Sequence, residues 1–312
     1  MRRLAVLSDV HGNLPALEAV LDDAHQHGVG LGPGSLLVAG DSIGGSHSRQ
    51  VVERLQALGA WAIRGNNEDY LLSYHRRQAP ADWYTASRWA PIRYIYSQFD
   101  AAGLDYLAAL PPQRVVVVDG ALPLRVVHGS PRDPIEHLVP DGGAAVVEQF
   151  RRAGIRPRDP RPLAELVAGV AEPLLICGHS HIAWQRQAGG CLVVNPGSVG
   201  APINGDWRAQ YALLTWHGGR WQVELRAVAY DRARMWADAK ESGFLASGGA
   251  FARACMLGNQ TGLNAAGALV THSVHLAIGA GHTWDDMPEE IWQEAAATFD
   301  WAAYGWDGEE VL

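Results

Sequence analysis

Five short polar clusters carry the chemistry open to this sequence: Asp9-Val10-His11-Gly12-Asn13, Gly40-Asp41, Gly65-Asn66, His128-Gly129 and Gly178-His179-Ser180-His181. In an extended segment residues two apart face the same side, so His179 and His181 address one site together, and Gly178 permits a tight bend beside them. Neutral imidazole is a ligand for Zn, Mn, Fe and Ni. A lone H-x-H pair is weak evidence, because a surface or hydrogen-bonded pair looks the same. Pooled, Asp9, Asp41, Asn66, His11, His128, His179 and His181 offer two carboxylates, one amide and four imidazoles. That is too many for one tetrahedral zinc. It suits two ions sharing a bridging carboxylate. The mixed oxygen and nitrogen donors favour Mn, Fe, Zn, Co or Ni over Mg or Ca, with Mn preferred. Two such ions roughly 4 Å apart acidify a bridging water and clamp phosphoryl oxygens during in-line displacement. Read singly, Asn66 is a helix cap and Asp41 a turn residue. That plainer reading needs five coincidences, all at strand ends.

The elements that position these clusters follow a βαβ rhythm. Leu4–Leu7, Leu36–Ala39 and Trp61–Ile63 are short apolar runs, each ending at a polar cluster, as expected of strands covered on both faces. Pro15, with Leu14, Leu17, Leu21 and Ala24 at helical spacing, predicts a helix after the first, and residues 48–58 predict another after the second. In open α/β sheets ligands bind at those strand ends. Residues 69–112 break the rhythm with a helical insert rich in Tyr and Trp, read chiefly as the insert's own core and alternatively as a stacking surface for a ring. Strands are expected at 114–118, 124–127, 173–177, 183–186, 191–194, 211–216 and 221–227, with helices at 142–153 and 162–170. Residues 230–312 read as a helical extension beyond a domain at 1–229, with Trp284, Trp292, Trp301 and Trp306 marking a buried face.

Composition excludes other classes. With 312 residues, 48% hydrophobic and 19% charged, the chain has the makings of an ordinary globular core. A net charge of −8 argues against non-specific nucleic-acid binding. Cys177, Cys191 and Cys255 are too few and scattered for a disulfide framework and read as buried apolar residues. Met1-Arg2-Arg3-Leu4 runs straight into the first strand, leaving no room for a signal peptide, and polar residues interrupt the apolar stretch at 262–280. The expectation is a cytoplasmic protein off the membrane, with a homo-oligomer left open.

The order D-x-H-x-N, GD, GN, HG, GHSH, then Asn195-Pro196-Gly197-Ser198, resembles the calcineurin-like metallophosphoesterases, and most closely their compact bacterial and archaeal branch, over roughly residues 3–228. The resemblance implies an α/β fold, a four-layer αββα sandwich of two mixed sheets flanked by helices. It implies that Asp9, His11 and His181 hold one divalent ion, Asn66, His128 and His179 a second, and Asp41 both. Asn13 and the 195–198 loop would support the site, and a metal-bridging hydroxide would attack phosphorus. Many members carry histidine after the GN asparagine, where it contacts the phosphate and protonates the leaving oxygen; here Asn67 stands there, followed by Glu68. An amide donates a hydrogen bond but supplies no proton at neutral pH. Removing a general acid costs roughly 10²–10⁴ in rate, least for leaving groups that depart unprotonated. The expectation is a small phosphorylated substrate, a nucleotide being one form, with diesters preferred. A phosphoanhydride such as a dinucleoside polyphosphate, or a monoester, is the alternative. His47 is a substitute proton donor if it is more than a solvated loop residue, and Arg132 a phosphate contact if it is not paired internally. A non-catalytic scaffold, as in the retromer subunit with this fold, is the alternative from another class. His272 and His275 read as packing or surface residues.

Overall fold

The computed structural model describes residues 2–306; the end of the expected extension, 307–312, lies outside them. Among these residues ten strands form two five-stranded sheets. In the first, β1 (Arg2–Leu7), β2 (Leu36–Val38) and β3 (Trp61–Ala62) run parallel, and β9 (Ala209–His217) and β10 (Arg220–Val228) add antiparallel, in the order β10-β9-β1-β2-β3. The second contains β4 (Gln113–Val116), β5 (Leu124–Val127), β6 (Leu174–Ile176), β7 (Ala183–Ala188) and β8 (Cys191–Pro196), ordered β4-β5-β6-β8-β7. Here β5, β6 and β8 run parallel and the two edge strands antiparallel.

The apolar runs of the central strands are continuous because β1, from Leu4 on, β2 and β6 are buried on both faces. Leu4 and Val6 of β1 join Val126 of β5 and Leu174 and Ile176 of β6 in the core between the sheets. Ala5 and Leu7 face the other way, into the core shared with α1 (Leu14–Gln26) and α2 (Ser48–Ala57). On the outer face of the second sheet, Leu175 and Val193 pack against α6 (Ala144–Arg152) and α7 (Leu163–Leu166) through Phe150 and Leu163. The four layers are those the resemblance implied. The helix expected over 162–170 is only four residues long.

The insert contributes α3 (Asn66–His75), α4 (Ala90–Ser97) and α5 (Ala101–Ala109). It opens earlier than expected, because the Gly65-Asn66 cluster is itself the start of α3. Its rings largely pack on one another: Tyr74 stacks on Tyr84 at 4.7 Å and Trp83 on Trp89 at 4.2 Å. The extension is α8 (Arg232–Glu241), α9 (Phe244–Thr261), α10 (Ala265–Gly279) and α11 (Glu289–Thr298), with α9 kinked where Gly249 takes a φ of 58°. Met235, Ala239, Phe244 and Met256 share one core with β1 and α1, so the core runs across the expected boundary at 229. A second cluster, including Leu269, Met287 and Trp292, holds the outer helices together. No helix among the described residues is long and apolar enough to cross a membrane.

Candidate metal centre

The polar clusters meet where the parallel strands end. Asp9 and His11 follow β1, Asp41 follows β2, Asn66 follows β3, His128 follows β5, and His179 and His181 follow β6. The backbone that turns them inward is strained. Among the described residues six non-glycine positions have positive φ, and five of them are Asp9 (54°), His11 (48°), Asp41 (52°), His179 (64°) and His181 (56°). Left-handed backbone disfavours residues with a side chain, and such strain concentrates at functional sites. The adjoining glycines are required by close approach: a Cβ on Gly65 would collide with Asp41 Oδ1, and one on Gly178 with Ser8 Oγ.

Seen from the ring nitrogens, the donors converge on Asp9 Oδ1. His181 Nε2 lies 3.1 Å from it, His11 Nε2 3.7 Å and His128 Nε2 4.0 Å, yet this fully buried oxygen has no hydrogen-bond partner. Asp41 reaches across the same space, Oδ2 3.8 Å from His11 Nε2 and Oδ1 3.5 Å from His128 Nε2. Asn66 Oδ1 is 3.0 Å from His128 Nε2. Two overlapping groups have ligand geometry, Asp9/His11/His181 and Asp9/Asp41/His128. Asp9 is common to both, and Asp41 contacts an imidazole of each.

The ring orientation suits metal binding. His128 Nδ1 lies 2.7 Å from the Ala39 carbonyl and His181 Nδ1 2.6 Å from that of Ala201. A carbonyl only accepts, so each Nδ1 carries the proton and each Nε2 lone pair faces the centre. Burial opposes ionisation of Asp41, but His128 and His11 hold its carboxyl down at about 2. Asp9 is likewise held well below the carboxylate range, against burial, by His181, His11 and His128. Burial works against charge on His128, yet Asp41 and Asp9 lift it to about 10. The field that retains a proton there is the field that attracts a divalent cation. An orphaned carboxylate oxygen, tautomer-fixed imidazoles and strong negative potential fit divalent ions.

Several surrounding residues hold the ligands. Glu68, fully buried, accepts the backbone N–H groups of Asp41 (3.0 Å), Ser42 (2.8 Å), Ile43 (3.3 Å) and Gly65 (2.7 Å), tying the loops after β2 and β3 together. Burial and the nearby Asp41 push its carboxyl up to about 7, against the pull of the N–H donors. Asp9 Oδ2 accepts from Ser8 Oγ (2.5 Å) and from the backbone N–H of His179 (3.0 Å). In the 195–198 loop, the Asn195 amide donates to the Gly178 carbonyl and Ser198 Oγ to that of Asp9. The sequence reading quoted Glu68 without a role; its signal was its place three residues after Gly65, where a glutamate reaches back to the first free N–H of a helix. It missed His137, whose ring stacks on His179 at 4.4 Å and which burial, with the charges of His181 and Arg158, pushes down to about 4. No sequence signal marked it.

Four expected substrate-facing residues stand elsewhere or are otherwise engaged. His47 ends on Asp238 of α8, 3.8 Å away, because the start of α2 packs against the extension. Arg132 is paired internally, with Glu136 and with Asp159 at 3.2 Å. Asn13 caps α1 through Ala16 N–H and donates to the Gly200 carbonyl (3.1 Å) and Tyr230 Oη (3.3 Å), leaving no amide group free. Asn67 turns its amide onto Asp41, Nδ2 donating to Oδ2, while its backbone N–H donates to Oδ1 at 2.9 Å. In the extension, His272 bonds Thr298 on the surface.

The sequence profile of the calcineurin-like phosphoesterase superfamily domain matches residues 2–219. The chain belongs to that superfamily. It is 27% identical to a metallophosphoesterase of Sphaerobacter thermophilus, whose crystal structure superposes with a TM-score of 0.57 over 79% of this chain and 100% of that one. A hypothetical protein of Pyrococcus horikoshii shares the fold at 22% identity and a TM-score of 0.60, over 80% of this chain and 99% of its own. An uncharacterised protein of Methanocaldococcus jannaschii is 25% identical over 248 residues, 73% of this chain and 88% of that one. Membership in the phosphoesterase superfamily implies divalent metal ions, and the Asp and His groups above are where this chain would hold them.

Proposed function

We propose that the protein is a dinuclear metal-dependent phosphoesterase acting on a small phosphorylated substrate, with diesters preferred over alkyl monoesters. The observation that carries this reading is the buried, unpartnered Asp9 Oδ1 facing three imidazole nitrogens, flanked by an Asp41 carboxylate that touches both ligand groups. When bound, two divalent ions there supply Lewis-acid stabilisation of the phosphoryl oxygens and a water acidic enough to react near neutral pH. Asp9, His11 and His181 would hold one ion, Asn66, His128 and His179 the other, with Asp41 between them. His128 and His181 keep their protons on Nδ1 and are braced by backbone carbonyls. Asp9 and Asp41 stay ionised across the neutral range.

The diester preference follows from what the chain lacks. Asn67 has no transferable proton and is engaged with Asp41, and His47 faces Asp238. Neither delivers a proton to a departing alkoxide. The Tyr70 hydroxyl beside the site is pushed up by burial and by Asp41, so it stays a neutral phenol. The scaffold alternative is disfavoured because all seven ligand positions are filled.

The test is hydrolysis of paired aryl phosphates, one monoester and one diester, with and without Mn²⁺. Diester-biased, metal-dependent turnover is expected, with Asn67→His shifting the balance toward the monoester. Metal-independent turnover, or none on either substrate by protein that binds no metal, would contradict the reading.

A further inference from the structure

Above the metal centre lies a cavity of about 400 Å³, within the range of small-molecule sites. Its floor includes His11, Asn66, Asn67 and His181. One wall comes from the insert, with Trp89, Ile92 and Ile95; the other comes from α9 and α10, with Phe251, Ala254 and Val270. Helices α9 and α10 lie beyond residues 2–219, the part that matches the superfamily profile, so one wall of this chamber stands outside it.

The chamber's chemistry is one-sided. Its lining is mainly apolar, and among the described residues Arg88 is the only arginine or lysine in it. That arginine is buried and already engaged: Nη2 pairs with Asp82 at 2.8 Å and Nη1 donates to the Met287 carbonyl at 2.8 Å. Only its Nε lacks a partner, leaving one donor for one acceptor oxygen. A polyphosphate chain needs several cations and a sugar needs many hydrogen-bond partners, since polar groups buried without them are costly. A hydrocarbon or aromatic group needs neither.

Building on the phosphoesterase reading, we propose that this cavity receives the organic group of the substrate, and that the substrates are phosphodiesters carrying a bulky apolar alkyl or aryl group rather than a sugar or nucleoside. The floor holds the phosphoryl group and the roof sorts substrates by apolar bulk.

The experiment is calorimetric binding of methyl-, butyl- and octylphosphonate to the Mn²⁺-loaded full chain. A methylene moved out of water contributes about fourfold in affinity. With partial burial of the chain, octylphosphonate is expected to bind at least about a hundredfold more tightly than methylphosphonate. Val270→Trp and Ile92→Trp, partly buried positions on opposite walls, should each collapse the octyl-to-methyl ratio toward one; two variants guard against one failing to fold. Equal binding of octyl- and methylphosphonate would overturn the cavity assignment and leave the metal-centre reading standing. A steep chain-length gain with no measurable methylphosphonate binding would do the reverse. Tighter binding of ribose 5-phosphate than of octylphosphonate, or a ratio unchanged in both folded variants, would also overturn the cavity assignment.

Discussion

The candidate metal centre beneath the cavity is built mainly from strand-end loops, five of its residues in left-handed backbone and its charges buried; the roof is built largely from helices that present apolar side chains. Asp9, Asp41, His11, His179 and His181 all have positive φ, whereas the described roof residues reach that region chiefly at glycines such as Gly249. The floor tolerates strain because several independent contacts determine each position: Asp9 alone is held by Ser8, His179 N–H and the Ser198 hydroxyl. The roof needs only volume and apolarity. Residue type is therefore constrained tightly below and loosely above, and substitutions should divide accordingly.

The largest effect is expected from Glu68→Ala, which leaves four buried N–H groups without their acceptor. Each such donor costs about 1–3 kcal/mol, so urea unfolding should show a loss of about 3 kcal/mol or more. Because the same side chain positions the loops of Asp41 and Asn66, metal affinity should fall about 10–100-fold as well. A variant with unchanged affinity would show that the ligand loops hold themselves.

Asn67→Ala is the intermediate case. It removes the side-chain donor to Asp41 but keeps the backbone one. Metal titration should show a loss of about tenfold with little change in unfolding, and a large stability loss would blur the division between ligand support and scaffold.

The smallest effect belongs to the roof. Glu289 of α11 accepts the Ser87 backbone N–H at 2.9 Å and its hydroxyl, joining the extension to the insert. Burial opposes its ionisation, but the Ser87 hydrogen bonds leave the carboxyl below its usual value. A depressed folded pKa adds stability that is present above the unfolded value near 4.3 and lost as pH falls through the folded one. Glu289→Gln should therefore lower Tm by about 2 °C near neutral pH, and the gap to wild type should close on acidification. A gap that widens in acid would reverse the sign.

The same division explains what could be read from sequence. Each of the ten strands among the described residues overlaps an expected one, most plainly where a strand buried on both faces, as Leu4–Leu7 is, leaves an unbroken run bounded by polar clusters. The residues that meet at the strand ends were legible because glycines mark each turn that carries them. For His47 and Arg132 the sequence left two readings open, because nearness to a ligand says nothing about side-chain direction in a loop; His47 turns to Asp238, and Arg132 takes the internal pairing, with Glu136 and Asp159. Asn67 was read as facing substrate, yet its nearest acceptor is Asp41. His137 carries no flanking glycine or motif, and only the packing of its loop brings it onto His179. The chamber was legible only as the alternative reading of the insert as a stacking surface, because Ile92 and Val270 are unremarkable apolar residues that come to line one cavity only when insert and extension fold over the site.

The central claim is that this floor binds two divalent ions through Asp9 and Asp41. Its most direct test is metal stoichiometry by native mass spectrometry after Mn²⁺ loading of the wild-type chain and of Asp41→Asn. Two ions per wild-type chain and fewer than two in the variant are predicted. One ion or none in the wild type, or two ions retained in Asp41→Asn with undiminished affinity, would contradict the account.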